Sequence, residues 1–300
     1  MNITTIVILY NSRIIESETL QSITDCSLDN ISLTINIWNN GPILLEENDI
    51  QNFFSTCASK NINVRIYQDT RNLALSKVYN FISKERNYNF ISILDQDTSL
   101  PTRFFQNIHL HRDRDIIVPI IIAEKDGILV QNYPHVYGDD ETLINEGKVK
   151  VRINSVMSGI TLSARMIRKI VNFRKYAFEE RLAFYGIDSD LFRTINLMLD
   201  SGIPIEIYCI NNVHHSFAIF NPEEATSSFR NMEIFYFKFF IRQAYSKKST
   251  LSTLWVCIRD FLRLKNNLEK TKNLIKFTLN GAHPRSKFEI VPDTRPTHES

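Results

Sequence analysis

Hydrophobic residues along the first 125 positions follow two alternating spacings. Continuous apolar runs and every-second-residue patterns predict strands, and apolar residues at every third or fourth position predict the helices between them. Strands that alternate with helices form parallel βαβ units. We therefore expect an α/β fold with a doubly wound, mostly parallel sheet and helices on both faces. The predicted strands lie at 5–10, 31–38, 63–67, 90–94 and 116–122, and the predicted helices at 15–25, 46–59 and 73–85.

The pattern becomes less regular after residue 123, and it changes again after Pro222. From there the spacing is helical as far as residue 277, and from Gly281 the chain is polar and contains three prolines. The further predictions are a loop or hairpin at 124–150, strands at 157–163 and 203–210, helices at 165–173 and before Gly202, and a loop at 211–217. We divide the chain into a first domain at 1–222, a helical appendage at 223–280 and a flexible tail at 281–300.

Composition places the chain among ordinary folded proteins, with 43% hydrophobic and 23% charged residues in a length of 300. The net charge of +2 gives no overall attraction to nucleic acid. The four cysteines form no C-x-x-C pair, which favours reduced thiols over a zinc site or a disulfide framework. No signal peptide and no transmembrane run is predicted, so we expect a cytoplasmic protein.

The sharpest chemical feature is the segment ILDQDTSLP at 93–101. Asp95 and Asp97 follow a strand that is predicted to be buried, and open α/β sheets bind ligands beyond the carboxyl ends of their strands. Two carboxylates one residue apart in an extended segment project in the same direction and can together hold a divalent cation. A simple turn before a helix that begins at Pro101 is the structural alternative. The position after the fourth strand favours a metal site, in which Mg²⁺ or Mn²⁺ would hold a diphosphate.

Polar residues also follow the first three predicted strands. Because the carboxyl ends of parallel strands meet at one edge of a sheet, we expect these side chains to gather there with the two aspartates. A single asparagine is more often a plain turn residue, but polar groups at four successive strand ends indicate a rim along which a nucleotide would lie. The candidate nucleotide-sugar contacts are Tyr10, Asn11, Asn39, Arg71, Asn72 and Asp95.

Two later segments also carry groups that can take part in chemistry. In YGIDSDLFR at 185–193, Asp188 and Asp190 fall at a predicted helix start. Carboxylates there favour the helix dipole, which is a structural role, and in the functional interpretation one of them is a general base that deprotonates an acceptor hydroxyl. The histidine pair of VHHSF at 213–217 could ligate a metal or touch phosphate, with His215 as the candidate ligand. A pair without further partners is more often structural.

Taken in order, these segments resemble the family 2 glycosyltransferases, which have the GT-A fold. The resemblance covers about residues 3–220 and rests on the opening strand, the motifs WNNG, NLALSKVYN, ILDQDTSLP, SGITLS and DSDLFR, and the histidine-bearing loop. The D-Q-D form is most similar to the bacterial rhamnosyltransferase branch, which builds surface polysaccharides such as O-antigen and capsule. Asp188 and Arg193 match the acidic residue and the arginine that recur in that branch.

The resemblance implies an inverting hexosyltransferase in which Asp188 is the base, Arg193 contacts the donor, and a divalent cation neutralises the leaving nucleoside diphosphate. The implied donors are dTDP-rhamnose, a UDP-hexose or UDP-galactofuranose, and the implied acceptor is a glycan or a polyprenyl-linked sugar. Two positions depart from the family. Asn39 replaces an aspartate that accepts a hydrogen bond from the pyrimidine base, and the residues at 73–75 replace a glycine-rich stretch.

The predicted C-terminal helices are dense in aromatic and basic residues, as in EIFYFKFFIRQAYSKK at 233–248. Such helices suit a membrane interface, and burial against the first domain explains the aromatic residues equally well. Attachment of residues 230–272 to the inner leaflet of the membrane is therefore one of two open alternatives.

Two other classes of protein compete with a glycosyltransferase. A catalytically inactive carbohydrate-binding or scaffolding protein on the same fold is one, and the presence of Asp95, Asp97 and Asp188 argues against it. A nucleotidyltransferase is the other, and it would be expected to carry a glycine-rich basic loop after the first strand. The segment YNSRIIES lacks such a loop.

Overall fold

Four parallel strands form the centre of this computed structural model, which describes residues 1–85, 87–125, 127–215, 227–263, 265–291 and 298–299. They lie in the order β3-β2-β1-β4. Helices α1 and α2 connect neighbouring strands, and α3 crosses from β3 at one side of this group to β4 at the other. These elements confirm the predicted βαβ alternation. The strands are β1 (Asn2–Leu9), β2 (Ser32–Asn39), β3 (Asn63–Gln68) and β4 (Phe90–Asp95), and the helices are α1 (Glu18–Thr24), α2 (Glu47–Ala58), α3 (Leu75–Ser83) and α4 (Phe104–Leu110).

Among the described residues, further strands extend and flank this centre. They are β5 (Thr98–Ser99), β6 (Ile116–Lys125), β7 (Ile128–Tyr133), β8 (His135–Val136), β9 (Asp139–Leu143), β10 (Gly147–Val149), β11 (Ile153–Asn154), β12 (Thr161–Ser163), β13 (Ile207–His215) and β14 (His298–Glu299). Strand β12 lies antiparallel between β4 and β6, and β13 runs parallel to β6. A hairpin joins β6 to β7, and β11, β8 and β9 form a separate small sheet.

Two strand predictions are wrong in their bounds. Residues 211–215 were predicted as a loop but belong to β13, because they pair with β6 beyond a bulge at Asn211, whose φ is +81°. The strand predicted at 157–163 is confined to 161–163, because the chain turns at Gly159 with φ of +82°. A Cβ at Gly159 would lie 2.7 Å from the Pro119 ring, so this turn needs glycine. Residues 216 and 217 of the predicted loop lie outside the described residues.

The α-helices that follow in the described part of the chain are α5 (Ala164–Arg174), α6 (Ile187–Asp200), α7 (Ser228–Phe240), α8 (Thr250–Leu262) and α9 (Leu268–Asn280). The last three confirm the predicted C-terminal helices. Within the described ranges, none of the helices combines the length and the apolar character that a bilayer span requires.

The C-terminal helices share a hydrophobic core with the sheet. Phe240 and Phe277 are 2% and 1% exposed, and Tyr236 stacks on Phe277 with the ring centroids 5.2 Å apart. These residues belong to the same cluster of buried side chains as Ile6 and Trp38 of the central strands. Burial therefore explains Tyr236, Phe239 and Phe240 of α7. The predicted domain boundary at residue 222 lies outside the described residues and stays a prediction.

This shared core makes the C-terminal helices part of one cooperative unit. Replacing Phe277 by Ala should lower the free energy of unfolding by about 3–5 kcal/mol, because the ring fills a packed site. Leu279→Ala is the matched control in the same helix, since Leu279 is 63% exposed and its loss should cost less than about 0.5 kcal/mol. Urea unfolding followed by circular dichroism measures both changes. Equal losses in the two variants, or a separate early transition of the C-terminal helices, would contradict the shared core.

Candidate active site

The carboxyl end of β4 carries the two aspartates that the sequence proposes as metal ligands. Asp95 ends β4 and Asp97 follows in the turn to β5, with side chains 37% and 43% exposed. His215 lies beside both: its Nε2 is 3.8 Å from Asp95 Oδ2, and its Nδ1 is 3.4 Å from Asp97 Oδ1. The pairing of the end of β13 with β5, which sets His215 opposite Thr98, produces this approach. The three proposed ligands thus lie together, and their function as ligands stays a prediction.

Hydroxyl groups that the sequence analysis did not identify hold the turn at 95–98. Thr98 Oγ1 lies 2.6 Å from Ser158 Oγ and 3.1 Å from His215 Nδ1, and both hydroxyl residues are fully buried. The Asp95 N–H donates to Ser158 Oγ at 3.1 Å. The Thr19 hydroxyl donates to the Asp95 carbonyl and accepts from the Thr98 N–H. In the sequence, the only sign of a special role for Ser158 is the Ser-Gly turn before β12. The residues around Thr19 give no sign of its role.

The turn at 95–98 brings acidic groups close together. The pKa of Asp95 is raised to about 6, with burial as the largest cause; the charge of His215 acts to lower it, and the charges of Asp97 and Asp188 act to raise it. Carboxylate oxygens and an imidazole are ligands that Mn²⁺ accepts, and carboxylates suit Mg²⁺, so the donor set fits a divalent cation. Among the described residues, no group of three or more His, Cys, Asp and Glu side chains is arranged to hold a metal ion by itself.

Asp188 lies in the first turn of α6, and its charge acts on Asp95. Burial raises its pKa, although the N–H of Ser189 donates to its carboxylate at 2.7 Å. Besides burial, the Asp188 charge raises the pKa values of Tyr79 on α3 and Tyr133 on β7, and the Asp95 charge also acts on Tyr79. Asp188 is thus close enough to Asp95 and to both tyrosines to act on their ionisation.

Asp190 lies on a different side of α6 and is enclosed. It is 3% exposed, forms an ion pair with Arg174, and accepts a hydrogen bond from the Tyr245 hydroxyl at 2.5 Å. Arg193 also turns toward this region, with its guanidinium carbon 4.1 Å from the centroid of the Tyr245 ring. The contacts of Asp190 are those of a structural ion pair, and they connect α6 to the turn after α7.

Tyr10 and Asn11 follow β1 and are exposed at the rim of the sheet. The Tyr10 N–H donates to Gln96 Oε1 at 2.8 Å, which joins the end of β1 to the turn that holds the aspartates. Asn11 has φ of +49°, and its N–H donates to the Gly41 carbonyl at 2.7 Å. Both side chains are exposed, and the bond from Tyr10 brings the end of β1 next to the turn that carries Asp95 and Asp97.

Asn39, proposed as a contact for the base, is 1% exposed. Its amide nitrogen donates to the Ile43 carbonyl at 2.8 Å and to Gln68 Oε1 at 3.1 Å, and its oxygen accepts from the Gly41 N–H at 3.1 Å. These bonds make Asn39 a support of the turn after β2, and a contact with the base stays a prediction.

The C-terminal segment covers the loop after β3. Arg71 pairs with Asp69 and lies 5.7 Å from the centroid of the Phe288 ring. The side-chain oxygen of Asn72 accepts hydrogen bonds from Arg285 at 2.7 Å and from Asn40 at 3.2 Å. Arg285 is 213 positions away from Asn72, so no sequence pattern could connect the two.

Arg285 is itself held by a buried carboxylate. Glu233 on α7 is 4% exposed and accepts from Arg285 at 2.9 Å, and it lies 3.0 Å from His283 Nε2. Lys77 on α3 forms an ion pair with Glu289. Residues 283–289 fall in the segment that we predicted as a flexible tail, yet they make specific contacts with α3, α7 and the loop after β3.

No protein-family model matches this chain, and no curated protein matches it either. Solved structures do show the same fold. GalNAc-T7, crystallised with UDP, GalNAc and Mn²⁺, aligns with a TM-score of 0.53 at 9% identity, over 72% of this chain and 44% of its own. S. aureus TarS aligns with a TM-score of 0.52 at 14% identity, over 95% of this chain and 50% of its own.

A shorter form of S. aureus TarS, residues 1–349 in complex with UDP-GlcNAc, aligns with a TM-score of 0.52 at 12% identity. That match covers 94% of this chain and 80% of the shorter TarS chain. The present chain spans about half or less of the length of GalNAc-T7 and of the longer TarS structure. At these identities the likeness establishes the fold, and it confirms the GT-A architecture that the sequence resemblance implies.

Proposed function

We propose that the protein is a glycosyltransferase that moves a sugar from a nucleoside-diphosphate sugar to a hydroxyl group of an acceptor. The observation that carries this proposal is the position of Asp188 beside the Asp95–Asp97 pair at the carboxyl end of β4. A fold by itself hosts many functions, so the argument rests on this group of carboxylates and on the exposed rim beside it.

A UDP-sugar is the donor that we favour. The structures of GalNAc-T7 and TarS with the same fold contain UDP or UDP-GlcNAc, and Tyr10 and Asn11 are exposed at the rim of this sheet. The resemblance to the rhamnosyltransferase branch makes dTDP-rhamnose the second candidate. Asp95 and Asp97, with His215 next to them, would hold Mg²⁺ or Mn²⁺ together with the diphosphate. When bound, such a cation neutralises the charge that develops on the leaving nucleoside diphosphate.

Asp188 is proposed as the general base. It accepts the proton of the acceptor hydroxyl as that oxygen forms a bond to the anomeric carbon, and the bond from this carbon to the diphosphate breaks on the opposite face. The nucleoside diphosphate leaves with the electron pair, the anomeric configuration inverts, and no covalent enzyme intermediate forms. A raised carboxyl pKa suits this task, because a base works best when its pKa approaches the operating pH.

The family and the acceptor rest on the sequence resemblance. It supports a family 2 enzyme that acts on a glycan or a polyprenyl-linked sugar during the synthesis of a bacterial surface polysaccharide, in the cytoplasm. Transfer from UDP-sugars and dTDP-rhamnose to a panel of such acceptors, with the product analysed for anomeric configuration, tests donor, acceptor and stereochemistry together.

Asp97→Ala should abolish metal-dependent transfer and leave the fold intact, because Asp97 lies at the surface of the site. With Mn²⁺ present, UDP at about 100 times its Kd should stabilise the wild type by about 2.7 kcal/mol and should not stabilise the variant. Asp113→Ala is the control, since the Asp113 side chain is 67% exposed in another part of the molecule. Normal turnover by the Asp97→Ala protein would contradict the assignment of the metal site.

Asp188 and Asp190 should respond in opposite ways to the same substitution. Asp188→Asn should lower turnover by about 10²–10⁴-fold with donor binding retained, because a general base contributes that much. Asp190→Asn should instead lower the free energy of unfolding by about 3–5 kcal/mol, because it leaves Arg174 without its buried partner. Steady-state kinetics measures the turnover of both variants, and urea unfolding measures their free energy of unfolding. If Asp190→Asn were the stable and inactive variant, the two roles would have to be exchanged.

The pH dependence of transfer offers a separate check on Asp188. Burial raises its pKa, so it stays protonated to a higher pH than an ordinary aspartate and acts as a base only above that pKa. The rate should therefore rise with pH along an acidic limb whose midpoint lies above the usual aspartate value of about 3.9. The residual rate of Asp188→Asn should lack this limb. A limb that persists unchanged in that variant would belong to another group.

A further inference from the structure

Positive charge is concentrated in the C-terminal helices. Residues 246–280 contain eight lysines and arginines and two acidic residues, a net charge of +6. Since the whole chain carries +2, the other 265 residues carry a net charge of −4. One end of an otherwise acidic molecule is therefore strongly basic. The basic residues are Lys247, Lys248, Arg259, Arg263, Lys265, Lys270, Lys272 and Lys276.

Helix α8 presents an apolar stripe to solvent. Its members follow one another at intervals of four, three and four residues, which places them on one helix face. We call this set the α8 stripe: Leu251, Trp255, Ile258 and Leu262, which are 79%, 60%, 45% and 69% exposed. The opposite face carries the smaller Thr253 and Cys257, which are fully buried. The large apolar side chains of α8 thus face outward while the small ones fill the core.

Cationic side chains flank both ends of the α8 stripe. Lys247 and Lys248 are exposed just before the helix begins, and Arg263 and Lys265 are exposed just after it ends. On the adjoining α9, Lys272 and Lys276 are exposed as well. Arg259 at the edge of the stripe is paired with Asp260, so the uncompensated charge lies mainly at the two ends.

We propose that the α8 stripe lies in the headgroup layer of an anionic lipid surface, with the flanking lysines and arginines on the lipid phosphates. Tryptophan is well suited to that layer, and basic groups are attracted to anionic lipids. Association of two copies through the stripe would bring two strongly positive surfaces together, which disfavours a dimer. The proposed lipid contact is therefore the α8 stripe, and not the buried aromatic residues of α7. It does not depend on the proposed reaction.

Tryptophan fluorescence reports directly on the stripe. The chain has two tryptophans, and Trp38 is 1% exposed while Trp255 is 60% exposed. The full chain is mixed with vesicles of phosphatidylcholine, with or without phosphatidylglycerol, at about 0.1 M and about 1 M salt, where the Debye length is about 10 Å and about 3 Å. We expect sedimentation with the anionic vesicles at low salt, a blue shift of the emission, and quenching by brominated lipid. Trp255→Phe should remove the shift and the quenching, because only the buried Trp38 then remains.

Two double variants separate the apolar and the ionic contributions. Trp255→Ser with Leu262→Ser should weaken binding to anionic vesicles by about tenfold or more, because two large apolar side chains are lost. Lys247→Gln with Lys248→Gln should weaken it by about tenfold or more, because two charges near the surface are lost. Leu110→Ser is the matched control, since Leu110 is 60% exposed at the end of α4 and should bind as the wild type does.

Three results would overturn the proposal. One is a wild-type protein that stays in the supernatant with anionic vesicles at low salt. Another is unchanged binding by the Trp255→Ser, Leu262→Ser variant, which would place the lipid contact elsewhere. The third is concentration-dependent association in analytical ultracentrifugation that this variant abolishes, which would assign the stripe to a second copy of the chain. Thermal unfolding of each variant shows whether it is folded, and exposed positions such as these should leave the melting temperature unchanged.

Discussion

The carboxylates of Asp95, Asp97 and Asp188 repel one another at the edge of a buried sheet, and the protein must hold them there against that repulsion. The raised pKa of Asp95 expresses the cost, because burial and its negative neighbours both disfavour the charged form. The restraint comes from the backbone. Strand β4 pairs with β1 on one side and β12 on the other, and the hydroxyls of Thr98 and Ser158 fix the turn that follows.

Two buried carboxylates, Asp190 and Glu233, connect the C-terminal part of the chain to the rest of the molecule. Buried ions are costly unless they are paired, so each pair joins the elements that contribute to it. Tyr245 and Arg174 hold Asp190, which fixes the first turn of α6 and therefore the position of Asp188 two residues earlier. Glu233 holds Arg285, which in turn supports the loop after β3. Residues far beyond the central sheet thus determine the shape of the candidate donor site.

Side-chain contacts also define a loop in which the chain differs from the family that it resembles. The stretch at 73–75 is apolar where that family carries glycines, and Leu73 and Ala74 are fully buried. The Leu73 N–H donates to Asn40 Oδ1, and Asn40 also donates to Asn72, which Arg285 contacts from the C-terminal segment. Side-chain hydrogen bonds and core packing therefore define this loop without the backbone freedom of glycine.

The sequence by itself determined the alternation of strands and helices and the position of Asp95 and Asp97, because these features depend on local periodicity and on which residue follows a buried strand. It also indicated Asp188, which begins a helix with a clear apolar spacing. Tertiary structure decided the rest. Asp190 is paired, and polar residues 211–215 form a strand, because their partners come from other parts of the chain. Asn39 is buried, with hydrogen bonds to nearby Gly41 and Ile43 and to the more distant Gln68. Both α7 and α8 carry many large apolar side chains. Only the packing of the two helices against the rest of the fold determines which of these side chains meet solvent.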